Sequence, residues 1–167
     1  MVSFILVIIV ILSVLVCATT LSFFIAYIHG AMVVSTKNDI IRHALTVARV
    51  TRRDTIVDFG SGWGNVIHIA RTEFGARAIG YEIALIPYLF SRLRGEHVHL
   101  CSFIKGDTTH ATIVYMYLSP EVLRSLVPQI QLILARGVRI VTISFHIPGI
   151  TPLRLEKYHR HTIYVYS

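Results

Sequence analysis

Hydrophobic and polar positions divide the chain into one long apolar block followed by a series of short alternating segments. From Met1 to Thr36 there is no Asp, Glu, Lys or Arg, and Val2 to Ile28 is almost wholly apolar. As a helix this block is about 40 Å long at roughly 1.5 Å per residue. A bilayer core needs only about 20 such residues, so the block is expected to cross a membrane with tilt to spare. The rival reading is a cleaved signal peptide, which calls for a basic leading segment and a shorter apolar core. No Lys or Arg precedes the block, and Val16 stands before Cys17 where a lipoprotein box needs a small residue. A retained anchor is the better reading.

Beyond Gly30-Ala31, read as a hinge, the pattern shortens. Thr36-Lys37-Asn38-Asp39 has the form of a capping box, with Asp39 at the third helical position. Ile40, Ile41, Ala44, Leu45 and Ala48 then make one apolar stripe, opposite Arg42, His43 and Arg49. A strand runs through Val57. A helix is expected over Gly64–Phe74, stopped by Gly75, followed by a strand over Ala76–Glu82. The next helix covers Leu85–Leu93, with Pro87 tolerated in its first turn. Further strands are predicted at Val98–Phe103, Thr112–Leu118 and Val138–Phe145. Between the last two, Ser119-Pro120-Glu121 opens a helix that runs to Ala135 and must break near Pro128. Two short strands, Leu155–Tyr158 and Thr162–Tyr166, close the chain. Alternating strands and helices imply an α/β fold: a doubly wound, mostly parallel, Rossmann-like sheet with a C-terminal antiparallel hairpin. The expected division is an anchor over residues 1–29 and one domain over residues 30–167.

Charge adds orientation. Lys37, Arg42, Arg49, Arg52 and Arg53 all follow the apolar block, so the positive-inside rule puts the C-terminal domain in the cytoplasm. Cys17 lies in the block and Cys101 in a predicted strand, which makes a disulfide between them implausible and suits a reducing compartment. The net charge of +7 suits a domain tethered beside anionic headgroups. The basic residues are scattered, with no recognised DNA- or RNA-binding motif, so no nucleic-acid partner is expected.

The candidate chemistry sits in Ile56-Val57-Asp58-Phe59-Gly60-Ser61-Gly62-Trp63-Gly64 and in Gly80-Tyr81-Glu82. A β-branched run ends on an acid, breaks into three alternating glycines and opens a helix. Gly60 and Gly62 let the backbone turn tightly and approach a ligand that a Cβ would repel. Glu82 lies 24 residues past Asp58, near the roughly 20-residue offset at which a βαβ unit places its ribose-binding acid. The spacing is Gly-x-Gly-x-Gly, and no P-loop lysine follows. It favours S-adenosylmethionine over NAD or ATP. The bland alternative, glycines serving only a tight strand-to-helix turn, is weakened by the acids around them. His97-x-His99 and His159-x-His161 share strand faces but lack a third ligand nearby, so metal binding is not expected.

Asp58 through Gly64, Gly80-Tyr81-Glu82-Ile83 and Asp107 resemble successive motifs of the class I, seven-strand S-adenosylmethionine-dependent methyltransferases. Gly30-Ala31, Ser35-Thr36, Tyr117-Leu118-Ser119-Pro120 and Pro148-Gly149…Pro152 are similar to segments of one branch: small, single-pass, membrane-anchored protein-lysine methyltransferases and their prokaryotic relatives. The resemblance implies that Gly60, Ser61 and Gly62 line the methionine part of the cofactor, with Asp58 nearby and Gly64 also among the cofactor-binding residues. It implies that Glu82 accepts the ribose hydroxyls and Asp107 the adenine amino group. Tyr117, Ser119 and Pro120 would border the transferred methyl and the nucleophile. Two departures stand out. Trp63 and Asn65 replace a charged Asp–Arg pair usual in the family, and Ser35 replaces a proline. The implied activity is methylation of a lysine on a membrane-associated protein. A lipid or small-molecule methyltransferase at the membrane and a catalytically degenerate cofactor-binding module are the alternatives.

Overall fold

The computed structural model describes residues 2–28 and 36–167. The Gly30-Ala31 hinge and Ser35 lie outside the described residues. α1 covers Val2–Ile28, matching the apolar block. Within it Ser3–Leu21 has a mean hydropathy of 3.0 and no residue buried. By length and composition α1 can cross a membrane.

The domain alternates as the pattern predicts. α2 is Asn38–Val47, β1 Thr55–Phe59, α3 Asn65–Thr72, β2 Arg77–Glu82, α4 Leu85–Leu93 and β3 Val98–Leu100. β4 is Ile113–Met116, α5 Pro120–Ser125, α6 Val127–Ala135, β5 Arg139–Ile143, β6 Arg154–Tyr158 and β7 His161–Tyr166. The sheet order is β3-β2-β1-β4-β5-β7-β6. The first five strands are parallel, and β7 pairs antiparallel with both β5 and β6. Strand order reverses between β1 and β4, so the crevice at their C-terminal ends is where an open α/β sheet takes a ligand.

β1 and β4 are buried along their whole length, which suits their mainly apolar residues and makes Asp58 of β1 a buried acid. On one face Ile56, Ile113, Tyr115 and Val141 pack under α2 and α3 with Leu45 and Ile67. On the other, Val57, Phe59, Val114, Met116 and Ile140 pack with Leu123 and Ile130 of α5 and α6. The break near Pro128 falls at Leu126, which ends α5 and starts α6.

Several boundaries move, each for a local reason. The capping box does not form: Lys37 occupies the N-cap of α2 without a side-chain bond. Asp39 still lies in the first turn, where its charge favours the helix dipole. α3 starts at Asn65 because Gly64 is left-handed, at φ +77°. β3 stops at Leu100, short of Phe103, since Ser102 caps a 3-10 turn over Phe103–Lys105. β5 ends before Ser144, whose φ is +68°. β1 runs two residues beyond Val57, so Asp58 sits inside the strand.

At the opposite end of the sheet Asp54 ties three strands together. One carboxylate oxygen accepts from Thr112 Oγ1 at 2.7 Å and from Arg139 Nη2 at 2.6 Å. The other accepts from the Thr51 N–H at 2.8 Å and its hydroxyl at 2.9 Å. Burial alone would raise this carboxyl, but the bonds from Thr112 and Thr51 and the Arg139 charge outweigh it and hold the pKa below the usual value. The bonds are therefore stabilising above the ordinary Asp range and are lost as pH falls through the depressed pKa. Asp54→Ala leaves Arg139 and Thr112 without their partner. It should cost on the order of 3 kcal/mol in a denaturant titration of the full chain in mild detergent. An unchanged midpoint would remove Asp54 from the supports of the sheet.

Candidate active site

The glycine turn follows β1 directly, and three left-handed residues shape it: Gly60 at φ +78°, Gly62 at +52° and Gly64 at +77°. Its amides are drawn onto the end of β2. The N–H groups of Gly60 and Ser61 both donate to the Tyr81 carbonyl at 3.0 Å. The Gly62 N–H donates to Glu82 Oε2 at 2.6 Å, and the Ala84 N–H to Oε1 at 2.7 Å. A Cβ on Gly80 would lie 2.5 Å from Ser61 and from Ile67, so the turn can reach β2 only because that strand carries a glycine there. A Cβ on Gly62 would meet nothing within 4 Å. That residue faces open space.

α4 braces the turn from outside. Ser91, fully buried, shares its one hydroxyl proton between the Gly62 carbonyl at 2.9 Å and the Pro87 carbonyl of its own helix at 2.8 Å. Arg94 Nη1 donates to the Trp63 carbonyl at 3.2 Å and to Asn65 Oδ1 at 2.9 Å. Trp63 meets the Phe90 ring edge-on at 5.2 Å, and the Arg94 guanidinium lies over the same ring at 5.8 Å. Where Trp63 and Asn65 replace a charged pair, Arg94 thus supplies the bridge from a different helix. Sequence reading missed Ser91 and Arg94. Each lies 29 residues from the position it supports, on a helix whose own pattern reports only its buried stripe.

Asp58 and Tyr115 are register partners on β1 and β4 and point to the same face. Burial and the nearby Glu82 charge push the Asp58 carboxyl up to about 8. Burial and Asp58 also raise the Tyr115 phenol well above its usual value. At neutral pH Asp58 is therefore mostly protonated.

Asp107 lies beyond β3 and is exposed. The Tyr81 hydroxyl fixes its backbone, accepting from the Asp107 N–H at 2.8 Å and donating to the carbonyl at 3.1 Å. Hydrogen bonds from Thr109 keep its carboxyl below the usual value. Tyr117 follows β4, half-buried, with its ring perpendicular to His161 of β7 at 6.2 Å. Ser119 accepts from the Val122 N–H at 3.4 Å and caps α5, and Pro120 takes the first helical position. Their side chains thus serve the helix start, which leaves Tyr117 facing the cleft. Thr36, Asp39, Tyr117, His159, Arg160 and His161 line a cleft of about 470 Å³. The paired histidine motifs have other partners: His99 stacks on Tyr81, His159 lies 3.7 Å from Asp39, and His161 Nδ1 is 2.8 Å from Ser144 Oγ. Among the described residues no group of three His, Cys, Asp or Glu could hold a metal.

The turn fits S-adenosylmethionine on its own geometry. Ser61 Oγ is buried with no hydrogen-bond partner among the described residues, and Gly62 leaves open the volume a side chain would fill. The Glu82 carboxylate still has lone pairs beyond its two amide bonds. Comparison with known proteins agrees. Residues 58–154 match the family model described as the ANTKMT methyltransferase domain. A protein-lysine N-methyltransferase of Saccharolobus islandicus (strain REY15A) is 29% identical over 154 residues, 84% of this chain and 96% of the relative. Among solved structures, an RNA methyltransferase from Salinibacter ruber in complex with S-adenosyl-L-homocysteine is 25% identical. It superposes with a TM-score of 0.74, covering 80% of this chain and 92% of that one. A ribosomal protein L11 methylase from Lactobacillus delbrueckii subsp. bulgaricus shares the fold at TM-score 0.60 and 16% identity, covering 76% of this chain and 75% of its own.

The raised pKa of Asp58 makes stability depend on pH. A carboxyl that holds its proton more tightly when folded stabilises the fold fully below the unfolded Asp range, and that contribution is lost as pH rises toward about 8. One such proton adds a slope of up to about 1.4 kcal/mol per pH unit. Asp58→Asn should flatten the fall in stability between mildly acidic pH and pH 8, read by denaturant titration at a series of pH values. A slope that Asp58→Asn leaves unchanged would show that another group titrates there.

Proposed function

This chain belongs to the ANTKMT methyltransferase family, and from that premise we propose that it methylates a lysine side chain of a membrane-associated protein. It is an S-adenosylmethionine-dependent methyltransferase. We assign the cofactor to the turn of Gly60, Ser61, Gly62 and Gly64, with Asp58 beneath it, Glu82 on the ribose and Asp107 on the adenine. Tyr117 is assigned to the acceptor side, with the backbone of Ser119 and Pro120 as the rim. The observation that carries the reading is the cleft lined by Tyr117 and His161, since Tyr117 directly follows β4, the strand paired with β1 ahead of the turn. The protein-lysine activity printed for the Saccharolobus relative supports the acceptor class. The length and hydropathy of α1 support the membrane.

The bound cofactor supplies a methyl group already activated by its sulfonium, so the protein's task is chiefly to position the acceptor. An amine attacks only in its neutral form. Asp39 at the mouth attracts the ammonium, and the walls of Tyr117 and His161 favour the neutral amine once inside. His161 can take the proton. Burial first, and then the neighbouring Arg160, hold its pKa below the ordinary histidine value, so it stands neutral near pH 7. Ser144 fixes its ring through Nδ1.

Membrane fractions given methyl-labelled cofactor provide the test. Label should appear on protein, in lysine after hydrolysis; label in organic-extractable lipid or in RNA would overturn the acceptor. Glu82→Ala should weaken cofactor binding in calorimetry by a few kcal/mol, the scale of charged hydrogen bonds. His161→Ala should leave that affinity intact and lower turnover on the order of a hundredfold. It should also remove the acid-side fall in rate expected of the wild type as His161 gains its proton. A variant with wild-type turnover would take His161 out of the reaction.

A further inference from the structure

α4 turns its inner side to the glycine turn and its outer side to solvent. That outer side is apolar: Leu85, Leu89 and Phe90 are 43–47% exposed and Leu93 is 87% exposed. Leu85, Leu89 and Leu93 fall at i, i+4 and i+8, one continuous stripe along the helix. β3, which α4 packs against, adds Leu100 at 46% exposure. Isolated exposed leucines need no explanation, but a contiguous stripe on one helix does.

The charge around the stripe is one-sided. Between Ile83 and Lys105 the basic residues are Arg92, Arg94 and Lys105, and the single acid is Glu96. Glu96 is 2% exposed and already neutralised, bonded to His68 at 2.8 Å and to Arg71 at 2.9 Å. The face therefore offers leucines and arginines with no exposed carboxylate. α1 lies against the same helix. Apolar stripe, basic flank and adjacency to the membrane-length helix together describe an element that rests in a bilayer interface.

We propose that α4 docks flat on an anionic lipid bilayer, burying Leu85, Leu89 and Leu93 at the headgroup boundary with Arg92 toward lipid phosphates. The proposal rests on the membrane-anchored reading and adds a second contact to it. Since α4 also holds the Gly62 carbonyl through Ser91, the docked helix fixes how the cofactor turn faces the membrane. The tether alone sets only a distance, whereas docking sets an orientation.

The full chain reconstituted in phosphatidylcholine–phosphatidylglycerol vesicles with brominated acyl chains tests this. Leu93→Trp puts a reporter on the stripe at a position too exposed to disturb folding. Lys157→Trp on β6, at the far edge of the sheet, is the control. Read as the difference from the unsubstituted chain, whose Trp63 also fluoresces, the reporter at position 93 should be quenched and blue-shifted, more so with phosphatidylglycerol than with phosphatidylcholine alone, and the one at position 157 should not. Adding Leu89→Glu to Leu93→Trp should abolish the quenching while the protein still floats with the vesicles. A chain that floats with an unquenched position 93 overturns the docking alone and leaves the stripe to a protein partner. A chain that does not float overturns the anchor and the docking together.

Discussion

A left-handed turn cannot hold itself. With Gly60, Gly62 and Gly64 all at positive φ, no regular ladder is available to the turn; the Gly64 N–H bonds back to the Ser61 carbonyl at 2.9 Å, but the amides of Gly60, Ser61 and Gly62 need partners outside it. The end of β2 supplies them: the Tyr81 carbonyl takes two, and the Glu82 carboxylate takes a third while bonding Ala84 with its other oxygen. Only the missing side chain at Gly80 lets the two segments come this close. The glycine turn, Glu82 and the start of α4 are therefore one unit. The crevice at the strand-order reversal owes its shape to that unit more than to any single residue in it.

Second in importance is the way charge is distributed across the sheet. At the lower end Asp54 is satisfied by four donors and holds its charge. At the upper end Asp58 lies among apolar neighbours beside Glu82 and keeps its proton. Two aspartates on adjoining stretches of one strand region thus take opposite states, for reasons of environment alone. The first serves the fold. The second leaves the ligand end of β1 uncharged until something cationic or more alkaline arrives.

Most of the architecture was legible in the sequence because parallel strands buried on both faces read as short β-branched, mainly apolar runs, as β1, β4 and β5 do. α4 was placed to the residue because Leu85, Pro87 and the Arg92-Leu93-Arg94-Gly95 end leave little freedom. The antiparallel placing of β7 and β6 was legible from their tight junction. What failed was local and steric. Thr36 has the right identity for a cap, yet Lys37 has the right dihedral. Phe103 looks like strand, yet Ser102 bonds the chain into a 3-10 turn first. In the candidate site, glycines and acids on the strand ends announce themselves through spacing. Ser91, Arg94 and His161 do not, because their partners lie 29, 31 and 17 residues away and only folding brings them together.

The two edges of the sheet differ from its centre. On one side β3 is three residues long, and on the other β6 carries Arg154, Glu156 and Lys157 on a strand of five. Neither offers a neighbour a long, flat, apolar row of free amides and carbonyls, which is the template for edge-to-edge association. Molecules crowded side by side on a surface, with their sheets at similar heights, would meet those edges far more often than molecules tumbling in solution. Short and charged borders let such a population be dense and still remain separate.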